Sequence, residues 1–550
     1  MDIMVMEKFC SDISEAYTIS EEPEKMMMND MIDESRRIYW GERNKRTKLK
    51  KSMGPGSILG SCSRSIIGWG CFIQGGLWTE RAGGPLPLFL GFLAGGLLMI
   101  VVGYSYSYMI AKFPVAGGEF AYAYKGFGRT ASYICGWMLS LGYLSIVALN
   151  ATALPVLASY IFPGVFNRGY LYTIAGYDVY MGEVGLSLFF IILFGIMNYK
   201  GAKSVGNLQL AMVLIMCAAV VVSVIGVIAT GHFDASNLQP AYGAEGKSLG
   251  SGFVSILALA PFLYVGFDCI PQAAEEYDFP PQKCKMLIIS ALIVGALIYG
   301  AMALVTDCVV PWQQVLTMTD ANGTLVKWHT GAVLDLAMGK VGVCFVALAV
   351  CMGIFTGMNG FFMTSSRLLF GMARAKMLPS AFEKVHPEHK TPSICVGFTM
   401  IICCICPFFG REVIGWVVDM CSVGTAFGYF FTCAGAYILL KKYGDDTDTN
   451  KIHPAVAMGG CVISVVILLL LIVPGSPAFM APQSFAALIV WVLMGVTFYF
   501  VSKKNFAKIT KREMDYLILG NVQVVRGLRK GKDQGRVVQG NIVADQSNKS

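Results

Sequence analysis

Charge is what this sequence has least of. Asp, Glu, Lys and Arg make up 14% of its 550 residues, where a soluble globular chain carries roughly 25%. A string of soluble domains, the usual meaning of this length, is thereby excluded. Disorder is excluded as well, because it requires low hydrophobicity and 55% of these residues are hydrophobic. The net charge of +8 does not point to nucleic acid, because its meaning depends on where the charges sit. The chain also lacks a convincing nucleophile triad, metal tetrad or phosphate loop, so neither an enzyme nor a cofactor is expected. No loop is long enough to house an ATPase domain, and the sequence is silent on an accessory subunit. Its seventeen cysteines fall mostly in apolar stretches, where they read as small buried hydrophobes rather than a disulfide framework. Cys403, Cys404 and Cys406 share one apolar helix without His or acidic partners, a poor metal site.

What is present is a series of long apolar runs. Crossing the hydrocarbon core takes roughly 20 helical residues. Twelve such runs can be placed, at 54–78, 85–110, 130–160, 183–199, 204–230, 250–273, 286–309, 337–366, 392–409, 413–440, 454–474 and 481–501. Their length argues against a transmembrane barrel, whose strands alternate over about ten residues. The expectation is an all-α polytopic membrane protein with twelve transmembrane helices. Residues 1–50 read as an N-terminal tail without the apolar core of a signal peptide, 51–505 as the membrane domain, and 506–550 as a polar, basic C-terminal tail.

The scarce charges then set the orientation. Short loops rich in Lys and Arg stay on the cytoplasmic side. With the N-terminus inside, fifteen basic residues from Lys112 to Lys451 fall in inner loops, and five, Arg81, Arg168, Lys247, Lys327 and Arg411, fall outside. A miscounted helix would scramble that bias, so it supports twelve spans and two cytoplasmic termini. In the outer loop, Asn322-Gly323-Thr324 is a formal glycosylation sequon.

Two of the runs are poorly suited to an unbroken helix. The first contains Ser65-Ile66-Ile67-Gly68-Trp69-Gly70, whose glycines permit unusual dihedrals. A break at membrane depth frees N–H groups that lipid cannot satisfy, and such groups suit a carboxylate. Tight helix packing is an equal reading of the same glycines. The sixth run contains Phe262, Leu263, Tyr264, Gly266 and Phe267 between Pro261 and Pro271. Each proline disturbs the hydrogen-bond ladder, and freed carbonyls around Phe262 to Gly266 would accept from an ammonium. Runs one and six hold equivalent places in two successive sets of five, about 54–230 and about 250–440, leaving two extra helices. Matching breaks in an inverted repeat point to a midplane site. Trp69, Phe262, Tyr264 and Phe267 would wall or close it, with Phe262 and Phe267 favoured as gate or wall.

Deep charge is rare and usually faces a cavity or a partner. Arg64 lies just before the first break; it attracts an anion, bridges the vestibule, selects substrate, or snorkels inward if the span starts later. Asp268 follows the second break, as an anchor for the broken helix or a partner for a base. Glu275 and Glu276 sit nearer the inner mouth as gate or cap residues. The inner loop 113–124, with Glu119, and the amphipathic stretch 367–379 read as scaffold and gating parts.

Taken together, Ser65-Ile-Ile-Gly68, Phe113-Pro-Val-Ala-Gly-Gly118, Tyr264-Val-Gly-Phe-Asp268, Ala273-Ala-Glu-Glu276 and Ser366-Arg367 through Pro379 resemble the amino acid–polyamine–organocation family of secondary transporters over roughly residues 50–505. The resemblance implies a five-plus-five inverted repeat, with substrate carboxylate at Ser65 to Gly68 and α-amine at the carbonyls of Phe262 to Gly266. It departs in two places. Some proton-coupled relatives carry a lysine in helix five, where this chain has Met216 and no lysine between 204 and 230; Arg64 stands where small residues are usual. Proton coupling, sodium coupling and exchange therefore stay open. The expected function is an amino-acid permease of the plasma membrane; the alternative is a transporter of polyamines or other organic amines. The partners are a small-molecule substrate and the lipid bilayer, and no nucleic acid.

Overall fold

A helix satisfies its own backbone, which is what a chain crossing lipid must do, and the long apolar runs are helical over most of their described lengths, the first and sixth being interrupted by turns. The computed structural model describes residues 66–520, apart from 175–176, 202–204, 320–325, 327, 390, 411–412, 444–452, 477 and 508. The sequon at Asn322 and both Arg64 and Ser65 lie outside the described residues.

The chain begins with α1 (Gly70–Ile73) and α2 (Gly75–Ala82), followed by α3 (Pro85–Lys112), α4 (Gly118–Phe127) and α5 (Arg129–Ile161). Strands β1 (Tyr170–Ile174) and β2 (Tyr177–Tyr180) pair antiparallel. Next come α6 (Met181–Lys200), α7 (Val205–Ala229), the pieces α8 (Leu249–Leu257), α9 (Ala260–Leu263) and α10 (Cys269–Gln272), and α11 (Cys284–Cys308). The second half holds α12 (His329–Arg374), α13 (Ser393–Ile405), α14 (Val413–Tyr443), α15 (Pro454–Ile472), α16 (Pro482–Phe506) and α17 (Lys511–Leu519). Pro85, Pro454 and Pro482 open their helices, where a missing N–H costs nothing. Among the described residues, nine helices are long and apolar enough to cross a membrane. The protein is an all-α, multi-spanning membrane protein carrying one small two-stranded ribbon.

The core is built on α5, α12 and α14. Close approach is possible because Gly424 presents no side chain to α5: a Cβ there would lie 2.5 Å from the Met138 carbonyl oxygen, the small-residue contact that membrane packing favours. Helix α16 closes on α5 through Trp137 and Trp491, stacked at 4.6 Å. Each indole N–H donates to the other's carbonyl, at 3.0 and 3.1 Å. The outer surface is apolar, with Leu97 65% and Val490 66% exposed, as a lipid-facing belt requires.

Three features depart from expectation. The eighth helix runs from His329 to Arg374 and breaks at Gly339 (φ 65°), instead of spanning 337–366. Its last turns, read as an amphipathic stretch at the interface, are packed inward: Leu368, Leu369, Phe370, Met372 and Arg374 are buried, and Arg374 bonds Glu275 at 3.2 Å. The ribbon at 170–180 was absent from the sequence reading because its residues lack a simple alternating pattern. The expected C-terminal tail contains α17, started by a reciprocal capping box between Thr510 and Glu513. Met514, Leu517 and Ile518 of α17 are buried at helical spacing, and Asp515 accepts from the Tyr124 hydroxyl at 2.9 Å.

Candidate functional site between two broken helices

In the first run Ile66 and Ile67 are helical, the chain turns through Gly68 and Trp69, and the helix resumes at α1. Gly68 has φ +54°, a left-handed conformation that glycine adopts without strain. The turn is seated on two other glycines. A Cβ on Gly353 of α12 would lie 2.9 Å from the Gly68 carbonyl, and one on Gly295 of α11 would lie 2.5 Å from an Ile66 methyl carbon.

Helix six breaks by a different device. Ser248 caps α8, accepting from the Ser251 N–H at 3.1 Å. After α9 the chain turns through residues 264–268 before α10, and Gly266 takes φ +131°. The Asp268 carboxylate lies back over the turn and accepts from the Gly266 N–H at 2.7 Å. Asp268, fully buried, is therefore an anchor of the break.

One side chain touches both breaks. The Tyr299 hydroxyl of α11 lies 2.8 Å from the Ile66 carbonyl oxygen and 2.8 Å from that of Leu263. Beside it opens a space of about 440 Å³, its mouth included, lined by Ile66, Gly68, Trp69, Gly70, Phe262 and Val265 from the two broken helices. Ile146, Leu149 and Asn150 of α5, Tyr299, and Gly357 and Phe361 of α12 complete the wall. Among these residues none is charged. Asn150 uses its amide N–H on the Ile146 carbonyl at 2.6 Å, and its side-chain oxygen lies where a Cβ on Gly357 would come within 2.5 Å.

Of the residues singled out in the sequence, the structure gathers Ile66, Gly68, Trp69, Gly70 and Phe262 around this space. Ile67, Leu263, Tyr264, Gly266 and Phe267 support it from outside the lining. The Tyr264 hydroxyl donates to the Phe92 carbonyl at 2.6 Å, and Phe267 stacks on Tyr429 at 5.4 Å. Glu275 pairs with Arg374, and Glu276 lies in the short turn Ala274–Glu276. Met216, at the place expected for a helix-five lysine, is fully buried.

The sequence reading missed Asn150, Tyr299 and Gly357. Asn150 carried a usable signal, as the lone amide within a long apolar helix. Glu119, expected in a turn-rich inner loop, lies instead on α4, which packs inward and buries it completely. Burial, and then the charge of Asp268, push the Glu119 carboxyl well above the usual carboxylate range.

A multi-spanning helical protein with two interrupted helices facing one small cavity is built to handle a small solute within the bilayer. A family model for amino acid permeases matches residues 57–498. The chain is 25% identical over 483 residues to the methylthioribose transporter of Bacillus subtilis (strain 168), covering 84% of this chain and 96% of that protein. It is 23% identical over 485 residues to the branched-chain amino acid permease BcaP of the same organism, covering 84% and 95%. It is 27% identical over 413 residues to cationic amino acid transporter 5 of Arabidopsis thaliana, covering 73% and 67%. The chain belongs to the amino acid permease family, within the amino acid–polyamine–organocation superfamily. It is a membrane transporter of small solutes and not an enzyme.

Proposed function

We propose that the protein is a plasma-membrane amino-acid permease that works by alternating access around helices one and six. In this reading it has twelve spans, a five-plus-five inverted repeat with two extra helices, and both termini in the cytoplasm. Two broken helices and the short apolar helix Ser393–Phe409, added to the nine long ones, support that count. Substrate carboxylate binds the backbone from Ser65 to Gly68, and the α-amine binds carbonyls of the second break. The Leu263 carbonyl is within reach of Tyr299 and the Gly266 carbonyl accepts from the Cys269 N–H at 3.2 Å, which leaves Phe262, Tyr264 and Val265 as the ammonium acceptors.

The observation that carries this reading is the Tyr299 hydroxyl, 2.8 Å from a carbonyl of each break. It supports both breaks as parts of one site. Among the described residues the lining carries no charge, which supports a neutral side chain, since a lysine or arginine head, or a polyamine, would leave a cation unpaired in an apolar pocket.

Uptake by the purified protein in liposomes tests the assignment. Labelled leucine uptake is expected to be competed by unlabelled leucine and not by isopentylamine, the same side chain without a carboxyl group. Equal competition by the amine would remove the carboxylate from the site and favour an organic-amine transporter.

A further inference from the structure

We propose that Glu119 and Asp268 share one exchangeable proton at the α10 end of the site, and that Glu119 carries it. Both carboxyl groups are fully buried. One Glu119 oxygen accepts from the Gln272 amide at 2.6 Å, and the other faces the Tyr143 hydroxyl at 3.5 Å. The same hydroxyl donates to the Asp268 backbone carbonyl at 3.1 Å, so Tyr143 lies between the Glu119 carboxyl and the backbone of Asp268.

The cluster is incompletely paired: the Tyr106 and Tyr122 hydroxyls have no partner, and two acceptors are in the same position. The second carboxylate oxygen of Asp268 and the amide oxygen of Gln272 are buried without a hydrogen-bond partner. The groups that face Glu119 bring no positive charge. They are Asp268 and Gln272 of helix six, Tyr106 of α3, Tyr122 on α4 itself, Tyr143 and Cys135 of α5, and Tyr429 of α14. Arg374, the buried base of α12, is engaged with Glu275 at 3.2 Å. Two ionised carboxylates in such surroundings are costly, and a buried acid without a cation takes up a proton instead. A proton on Glu119 leaves one buried charge in the cluster where there would be two. Burial and the neighbouring Asp268 hold Glu119 in its protonated form above the ordinary carboxylate range.

The placement makes this proton releasable. Helix α4 lies directly against the second half of helix six: a Cβ on Gly118 would meet Pro271 at 2.7 Å. Gln272, the closest donor to Glu119, belongs to α10. Withdrawal of α10 admits water, whose hydration of the carboxylate outweighs the loss of the Gln272 donor, and Glu119 then gives its proton to the water. Asp268 stays fixed to the Gly266 N–H as the break's anchor, so the mobile proton falls to Glu119. Ionisable groups inside membrane proteins commonly serve such relays.

Infrared pH-difference spectroscopy on the purified full chain tests proton occupancy without any substrate. The expected result is a protonated-carboxyl band at neutral pH that disappears only on further alkalinisation. It should be lost in Glu119→Gln and kept in Asp268→Asn, with the amide bands of each variant confirming an intact helical fold. Tyr143→Phe, which keeps both acids, should shift the band without removing it. No band in the unmodified protein, or one that survives Glu119→Gln, overturns the proposal. The carrier role rests on the alternating-access reading. It requires leucine uptake stimulated by an inward acid gradient in the unmodified protein and not in Glu119→Gln; stimulation that persists in Glu119→Gln overturns that role. A Glu119 band in a protein that transports no amino acid would leave the proton site standing and sink the permease reading.

Discussion

The two interrupted helices perform the same local task by opposite means. The first break exists because side chains are missing. Gly68 supplies the left-handed turn, and Gly353 and Gly295 let neighbouring helices press against it. The second exists because a side chain is present: Asp268 takes the Gly266 N–H that helix geometry has abandoned. A glycine-made turn keeps its polar backbone available to a solute. A turn held by a carboxylate is already partly satisfied, and it couples the break to a buried polar cluster. Under the proposed function the difference divides the labour: helix one offers recognition, and helix six offers recognition together with control.

Substitutions that attack each device separately should sharpen the contrast. The largest effect is expected for Gly68→Val. A Cβ at Gly68 meets nothing within 4 Å, so the damage comes from backbone strain alone. Forcing a non-glycine residue into that region costs about 1–2 kcal/mol, with a β-branched residue at the unfavourable end. Leucine uptake should be lost while the protein still elutes as a folded monodisperse species; normal uptake would show that this backbone does not bind substrate.

A smaller but broader effect is expected for Asp268→Ala. It leaves the buried Gly266 N–H without its acceptor, a loss of about 1–3 kcal/mol. Thermal stability and uptake should both fall, whereas Asp268→Asn, which keeps an oxygen over the turn, should retain much of the stability. Equal damage by both variants would mean that charge, not the hydrogen bond, holds the break. The smallest effect is expected for Tyr299→Phe, which removes a hydrogen bond of about 0.5–1.5 kcal/mol. Its signature is in uptake, lowered less than tenfold, since the hydroxyl reaches both breaks and the ring remains packed. No change at all would argue that the two breaks act independently.

Most of the spans were readable along the chain. Runs such as 85–110 and 413–440 appear as α3 and α14 with ends shifted by a few residues, because apolar length and glycine or proline punctuation are local properties. Both breaks were readable for the same reason, since a left-handed glycine or an internal proline declares itself in its own segment. Arg374 was read as lying at an interface because its stretch looks amphipathic, yet it is buried against Glu275. Periodicity reports that a helix has two faces. It does not report what the polar face meets.

The sequence by itself therefore determined the class: a sparsely charged helical membrane chain with two interrupted spans, recognisable as a transporter. Its scarce charges also marked out the loops. Only the tertiary structure decided which residues meet at the site. Asn150, Tyr299 and Gly357 come from helices far apart in sequence, and nothing local distinguishes Tyr299 from a packing tyrosine. The same holds for Glu119, which looks like a loop residue until α4 is packed against helix six. Burial of a carboxyl group depends on neighbours brought from α3, α5, α10 and α14, and that environment, not the residue's identity, makes it a candidate proton carrier.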